Sequence, residues 1–233
     1  MGSTAVQAHR GSPDPTHGVR ENTLEAFARA RRLGADGVEL DVRSTVDGAL
    51  AVHHDPVVAG RGPVCELSVA DLPGDVPLLP TVLEACDGLV INIEIKNLPG
   101  EPGFDPGDRV AREVAELVAA LGRTRSVVVS SFWPDTLEAV RSVDPDLATG
   151  LLVARWASPD TVVAAALSRG CTALHPHHDL VDAALVGEAH AAGLAVAAWT
   201  VNGEAAVRAA AAAGADTVIT DDVSGTRSTL HPD

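Results

Sequence analysis

A repeated joint constrains this chain more than any other feature. Short apolar runs alternate with amphipathic stretches, and Gly34, Gly170, Gly193 and Gly214 each stand where a helix should give way to a strand. Glycine suits that place because it takes the left-handed conformation that ends a helix. GADGVEL at Gly34 and GADTVIT at Gly214 are near copies of the joint. The pattern predicts strands over Ala5–Ala8, Val38–Val42, Leu89–Ile95, Ser126–Ser131, Ala148–Val153, Cys171–Leu174, Leu194–Thr200 and Thr217–Thr220. Between them it predicts helices over Thr23–Arg32, Thr81–Cys86, Asp108–Leu121, Pro134–Val143, Pro159–Ser168, Val181–Ala192 and Glu204–Ala213, the first capped by Asn22 with Glu25 in capping-box position. Runs such as VVVSSF, GLLVA and LAVAAW are apolar enough to be parallel strands buried on both faces. Eight such strands with right-handed crossovers predict an α/β fold, a (β/α)8 TIM barrel forming a single domain over 1–233. The alternative is a doubly wound open sheet, but no Gly-rich dinucleotide loop follows the first strand. Residues 56–80 hold five prolines and three glycines without periodicity, and read as a short insertion or cap after the second strand region.

Composition narrows the partners. Acidic residues number 32 against 17 basic ones, a formal charge of −15. Such a surface repels nucleic acid and anionic lipid, so neither a nucleic-acid partner nor a stable membrane association is expected. With 3% aromatics and no tyrosine, the core must be built from Ala, Val and Leu. Cys65, Cys86 and Cys171 are odd in number and match no metal-knuckle spacing, which predicts reduced thiols. The start MGSTAVQAHR lacks the pattern of a secretory leader, and a cytoplasmic protein is expected. Oligomeric state is not legible.

Polar residues collect at the carboxyl ends of the predicted strands, where a barrel keeps its active site. His9 and Arg10 end the first strand, Glu39 and Asp41 the second, and Asn92, Glu94 and Lys96 the third. Ser130 and Ser131 end the fourth strand and Trp199 the seventh, and His54 ends an extended segment beginning at Ala49. Glu39 and Asp41 sit at i and i+2, so both side chains face one side. Two carboxylates there repel unless a cation lies between them, and with Glu94 they suit a hard divalent metal, Mg²⁺ or Ca²⁺. The other reading is a set of salt bridges at the rim. His9 and His54 titrate near neutrality and can act as a catalytic acid/base pair. His53 should point the other way from His54. Arg10 and Lys96 can bind phosphate, or else neutralise the carboxylates. Asp55 can orient a histidine, and Trp199 offers an apolar wall to a substrate. His175, His177 and His178 could bind a transition metal, but nothing near them in sequence supports it.

These residues occur in an ordered series: HRG at His9–Gly11, ENTLEAF at Glu21–Phe27, ELD at Glu39–Asp41, DG at Asp47–Gly48, HD at His54–Asp55, IEIK at Ile93–Lys96 and WTVN at Trp199–Asn202. The series resembles the glycerophosphodiester phosphodiesterase family and runs from the first strand nearly to the last. The resemblance implies a barrel that hydrolyses a small-molecule glycerophosphodiester to an alcohol and sn-glycerol 3-phosphate with a divalent ion. It implies His9 and His54 as acid and base, Glu39, Asp41 and Glu94 as metal ligands, Arg10 and Lys96 as phosphate binders, and Glu21 as a support behind the site. It also implies that the substrate's 2-hydroxyl attacks first and that water then opens a cyclic phosphate. The chain departs from the family in a short segment after His54, without the usual threonine-rich turn, and in PDPTH before the ENT motif. The competing readings are a phospholipase-type phosphodiesterase on the same barrel, a Schiff-base lyase using Lys96, and a catalytically silent phosphodiester-binding module.

Overall fold

The computed structural model describes residues 4–155 and 158–232. Eight parallel strands close on themselves: β1 (Ala5–Ala8), β2 (Gly37–Ser44), β3 (Val90–Ile95), β4 (Val127–Ser131), β5 (Ala148–Val153), β6 (Ala173–Pro176), β7 (Ala195–Ala198) and β8 (Thr217–Thr220). Each pairs with the next in chain order, and β8 returns to β1 with Ala5 opposite Thr217 and Ala8 opposite Thr220. The predicted (β/α)8 barrel is thus the observed fold, and the doubly wound alternative is excluded by closure.

Among the described residues, eight α-helices surround the ring: α1 (Leu24–Arg32), α2 (Leu79–Ala85), α3 (Arg109–Ala120), α4 (Pro134–Val143), α5 (Pro159–Ser168), α6 (Ala183–Ala191), α7 (Glu204–Ala213) and α8 (Val223–Leu230). Alternate strand residues face them. Val38, Leu40 and Val42 of β2 and Ile91, Ile93 and Ile95 of β3 pack with Phe27, Leu83, Val114 and Val140. Across the barrel, Leu151, Leu174 and Val196 pack with Leu137, Val163, Leu185 and Val186. The barrel interior carries polar side chains at the intervening positions. Gln7, Glu39, Asn92, Ser130 and His175 are buried, and each keeps one polar atom without a hydrogen-bond partner among the described residues.

Several expectations need correction. The cap of α1 is Thr23, whose hydroxyl accepts from the Ala26 amide at 3.2 Å, while Asn22 turns inward to the site. Strand β6 starts at Ala173 because Cys171 still closes the preceding helix, its amide donating to the Ala166 carbonyl. Helix α8 was not anticipated: VSGTRSTL has no clear apolar period, and the helix stands on Asp222, whose carboxylate accepts from the Gly225 amide, and on buried Val223. The segment 56–80 is more ordered than a plain loop. Val57–Val58 pairs with Gly62–Pro63, and Val58, Val64, Leu67 and Leu72 form a small apolar cluster with Ala51.

One strand of the main sheet stands outside the ring. Residues Gly37 and Val38 of β2 pair with β1, but its far end projects beyond and pairs antiparallel with Leu50–Val52. His54 comes two residues after that strand.

Candidate active site

The chain turns sharply after β1. Arg10 and Gly11 both have positive φ, 52° and 78°. A Cβ on Gly11 would lie 2.8 Å from the Ala26 Cβ, so only glycine lets the turn press against α1. That turn places the Arg10 amide 2.8 Å from Glu39 Oε2, and the Gly11 amide donates to the Glu39 carbonyl at 3.2 Å.

Glu39 and Asp41 project from β2 and Glu94 from β3, where Asp41 and Glu94 are register partners. One carboxylate oxygen from each of the three comes within 4.8 Å of the others. All three residues are buried. Glu39 Oε1 has no hydrogen-bond donor, and Asp41 Oδ1 has only the Lys96 ammonium beside it among the described residues. Hard oxygen donors, buried and close together, fit a divalent cation. Their titration reflects the crowding. Burial and the negative charge of Asp41 push Glu39 up to about 8. Burial also raises Glu94, against the opposing charge of Lys96. For Asp41 burial is outweighed by Lys96, His54 and Arg10, and its carboxyl is held below the usual range. Asn22, with φ of 56°, locks Asp41 by donating to Oδ2 at 2.8 Å and accepting from the Asp41 amide at 3.3 Å.

The cations lie against this cluster. Lys96 Nζ is 3.1 Å from Asp41 Oδ1 and 2.5 Å from Glu94 Oε1. The Arg10 guanidinium donates to Glu21 at 3.0 Å, and its Nε lies 3.5 Å from Asp41 Oδ2. Both therefore neutralise carboxylates, Lys96 from a buried position and Arg10 from a partly exposed one.

Each histidine has a carboxylate behind it. His9 Nδ1 is 2.7 Å from Asp221 Oδ1, and its Nε2 is 4.0 Å from Glu39 Oε2. His54 Nδ1 is 2.8 Å from Asp55 Oδ1. A carboxylate on one ring nitrogen fixes the tautomer and leaves the other nitrogen for chemistry. The two rings differ in proton affinity. For His9, burial favours the neutral ring, but the bond to Asp221 and the charge of Glu39 outweigh it and raise the pKa. For His54, burial prevails over Asp41, Lys96 adds to it, and the pKa falls. Asp221 was not foreseen from the sequence. It is itself held by Asn202, whose amide donates at 2.6 Å, so the WTVN segment supports His9 from the opposite side of the ring.

Trp199 stands at the rim, its Nε1 donating to the His175 carbonyl at 2.7 Å. Phe132 and His177 meet its ring edge-on, at centroid distances of 5.5 and 5.2 Å. His177, His178 and Asp179 cluster there, whereas His175 points into the barrel away from them. The three histidines therefore do not form one site. His53 donates its backbone amide to Asp41 and does not join the cluster.

The glycerophosphoryl diester phosphodiesterase family matches residues 9–224 of this chain. A glycerophosphodiester phosphodiesterase of Caldanaerobacter subterraneus subsp. tengcongensis is 31% identical over 245 residues, covering 94% of each chain. A candidate glycerophosphoryl diester phosphodiesterase of Silicibacter pomeroyi, of known structure, superposes with a TM-score of 0.86 at 27% identity, covering 99% of this chain and 94% of that one. An Oleispira antarctica phosphodiesterase, solved with sn-glycerol-3-phosphate bound, shares the fold with a TM-score of 0.83 at 24% identity, covering 98% and 97%.

Proposed function

The chain belongs to the glycerophosphoryl diester phosphodiesterase family and is an enzyme of that class, and we propose that it splits glycerophosphodiesters into an alcohol and sn-glycerol 3-phosphate with His9 and His54 as its proton-transfer pair. The observation that carries this reading is the pair of imidazoles, each backed by a carboxylate, beside three buried carboxylates of which Glu39 keeps Oε1 without a donor. A bound divalent ion would be held by Glu39, Asp41 and Glu94 and would supply positive charge to a phosphoryl oxygen and an attacking hydroxyl. Arg10 and Lys96 hold the remaining phosphate oxygens.

His54, with its lowered pKa, takes the proton of the attacking 2-hydroxyl of the glycerol moiety. The new O–P bond closes a cyclic phosphate as the bond to the alcohol breaks. His9, with its raised pKa, returns a proton to the departing oxygen. Water then opens the cycle with the two roles exchanged, which restores both protonation states. The sn-glycerol-3-phosphate seen in the Oleispira antarctica phosphodiesterase is the product expected here.

The lyase reading fits less well. Lys96 is buried, which favours its neutral form, but Asp41 and Glu94 outweigh burial and raise its pKa, so it stays an ammonium and not a nucleophile. None of the described helices is long and apolar enough to cross a membrane.

The test is a coupled assay for sn-glycerol 3-phosphate over a panel of glycerophosphodiesters with Mg²⁺, Ca²⁺ or EDTA. We expect release with metal and none with EDTA. His9→Ala and His54→Ala should each lower turnover by roughly 10²–10⁴-fold. Turnover near wild type in both variants would remove the acid/base assignment.

A further inference from the structure

Arg43 lies two residues past Asp41 on β2 and takes no part in the chemistry above. Its side chain is only 6% exposed. The guanidinium makes contacts in three directions. Nε donates to the His54 carbonyl at 2.8 Å, Nη1 to the Lys96 carbonyl at 3.4 Å, and Nη2 to Glu101 Oε2 at 2.8 Å. The first acceptor belongs to the segment that carries the proposed base. The second lies just after β3, two residues past the metal-ligand candidate Glu94. The third sits on the loop leading to α3.

His54 needs such a tether. His9 continues a strand of the closed ring, and its amide bonds to the Thr220 carbonyl at 2.9 Å. His54 follows a three-residue strand outside the ring, and among the described residues its imidazole is bonded only to the adjacent, exposed Asp55. Among the described residues, the Arg43 fork is the side-chain bond that ties the His54 backbone to the barrel.

We propose that Arg43 is a positioning residue, which sets the place of the His54 imidazole relative to Lys96 and the carboxylates by clamping the two backbone carbonyls together. This rests on His54 acting in proton transfer. Arginine is required because its planar fork offers separate N–H groups to three acceptors, whereas a lysine offers one compact ammonium. Glu101 anchors the far side of the fork and keeps its charge paired inside the protein. A small displacement of a catalytic group carries a large rate penalty, and the loss falls on kcat because the Arg43 fork is spent on three protein acceptors.

The experiment is a double-mutant cycle on the full chain with metal present, using Arg43→Lys, Arg43→Ala, His54→Ala and the Arg43→Lys/His54→Ala pair. Arg43→Lys should lower kcat on a glycerophosphodiester by about 10–100-fold and leave KM within about threefold. Added guanidinium ion should restore part of the activity of Arg43→Ala. In the His54→Ala background, Arg43→Lys should cost little more, because the group it positions is gone. An equal fractional loss in both backgrounds would overturn the proposal, as would a kcat within twofold of wild type for Arg43→Lys. Should Arg43→Ala fail to fold, Arg43→Lys, which keeps the cation, and Glu101→Gln carry the test. If His54→Ala itself stays active, the acid/base reading fails. If His54→Ala is impaired and Arg43→Lys is silent, only the positioning role fails.

Discussion

Asp221 shows what a single residue contributes. Its carboxylate raises the His9 pKa, whereas burial lowers that of His54. The base must be neutral and the acid protonated, so kcat/KM should rise as His54 loses its proton below its ordinary pKa. It should fall as His9 loses its proton above that value. Asp221→Asn removes the charge behind His9. Its alkaline limb should move to lower pH while the acid limb stays, which a pH–rate profile of both proteins would show; an unmoved alkaline limb would deny His9 the acid role. Asp221 was invisible in the sequence because it lies 212 residues from its partner. By contrast, Glu39 and Asp41 were legible because strand geometry puts i and i+2 on one face. Asn22 was misread as a helix cap, since a short polar side chain before a helix serves either purpose. Only the fold brings Asp41 within its reach.

At the scale of elements, the joints were legible and the ends were not. Glycine marks where a helix stops, but whether the strand resumes one or three residues later depends on its neighbours. Thus β6 begins at Ala173 because Cys171 is still tied to α5. Helix α8 escaped notice because its stability comes from an Asp222 cap and one buried valine, not from periodicity. Helix α1 offers the cleanest test of local chemistry. Thr23 caps it from the loop that also holds Glu21 and Asn22, so the cap orders the start of the helix and the entry to the site together. Thr23→Ala should cost about 1 kcal/mol of stability, read from denaturant melts. A cost near zero would mean that the turn at Arg10–Gly11, not the cap, sets where α1 begins.

The whole molecule combines an apolar jacket with a polar axis. Leu, Ile and Val side chains fill the layer between strands and helices, as the apolar runs foretold. The inward positions were harder to read, because a strand buried on both faces does not reveal which side is wet. His175 is the extreme case. It lies 3% exposed inside the barrel, over Gly150, where any Cβ would collide with its ring. Burial alone pushes its pKa down to about 4. Folding therefore strips a proton from this imidazole at mildly acidic pH. Above its unfolded pKa near 6.5 it costs the fold nothing in protonation, and as pH falls toward 4 the unfolded chain is progressively favoured, by up to about 3 kcal/mol. Metal-free Glu39 acts in the opposite sense, being protonated when folded up to about 8. The histidine's share is thus isolated by comparing wild type with His175→Leu. Calorimetry in buffers of different ionisation enthalpy should find that wild type takes up roughly one more proton on unfolding near pH 5 than the variant does. Equal uptake would mean that the ring is hydrated and titrates freely. With the extra proton found, the small space left by Gly150 sets an acid limit for the enzyme, independent of the charge on its surface.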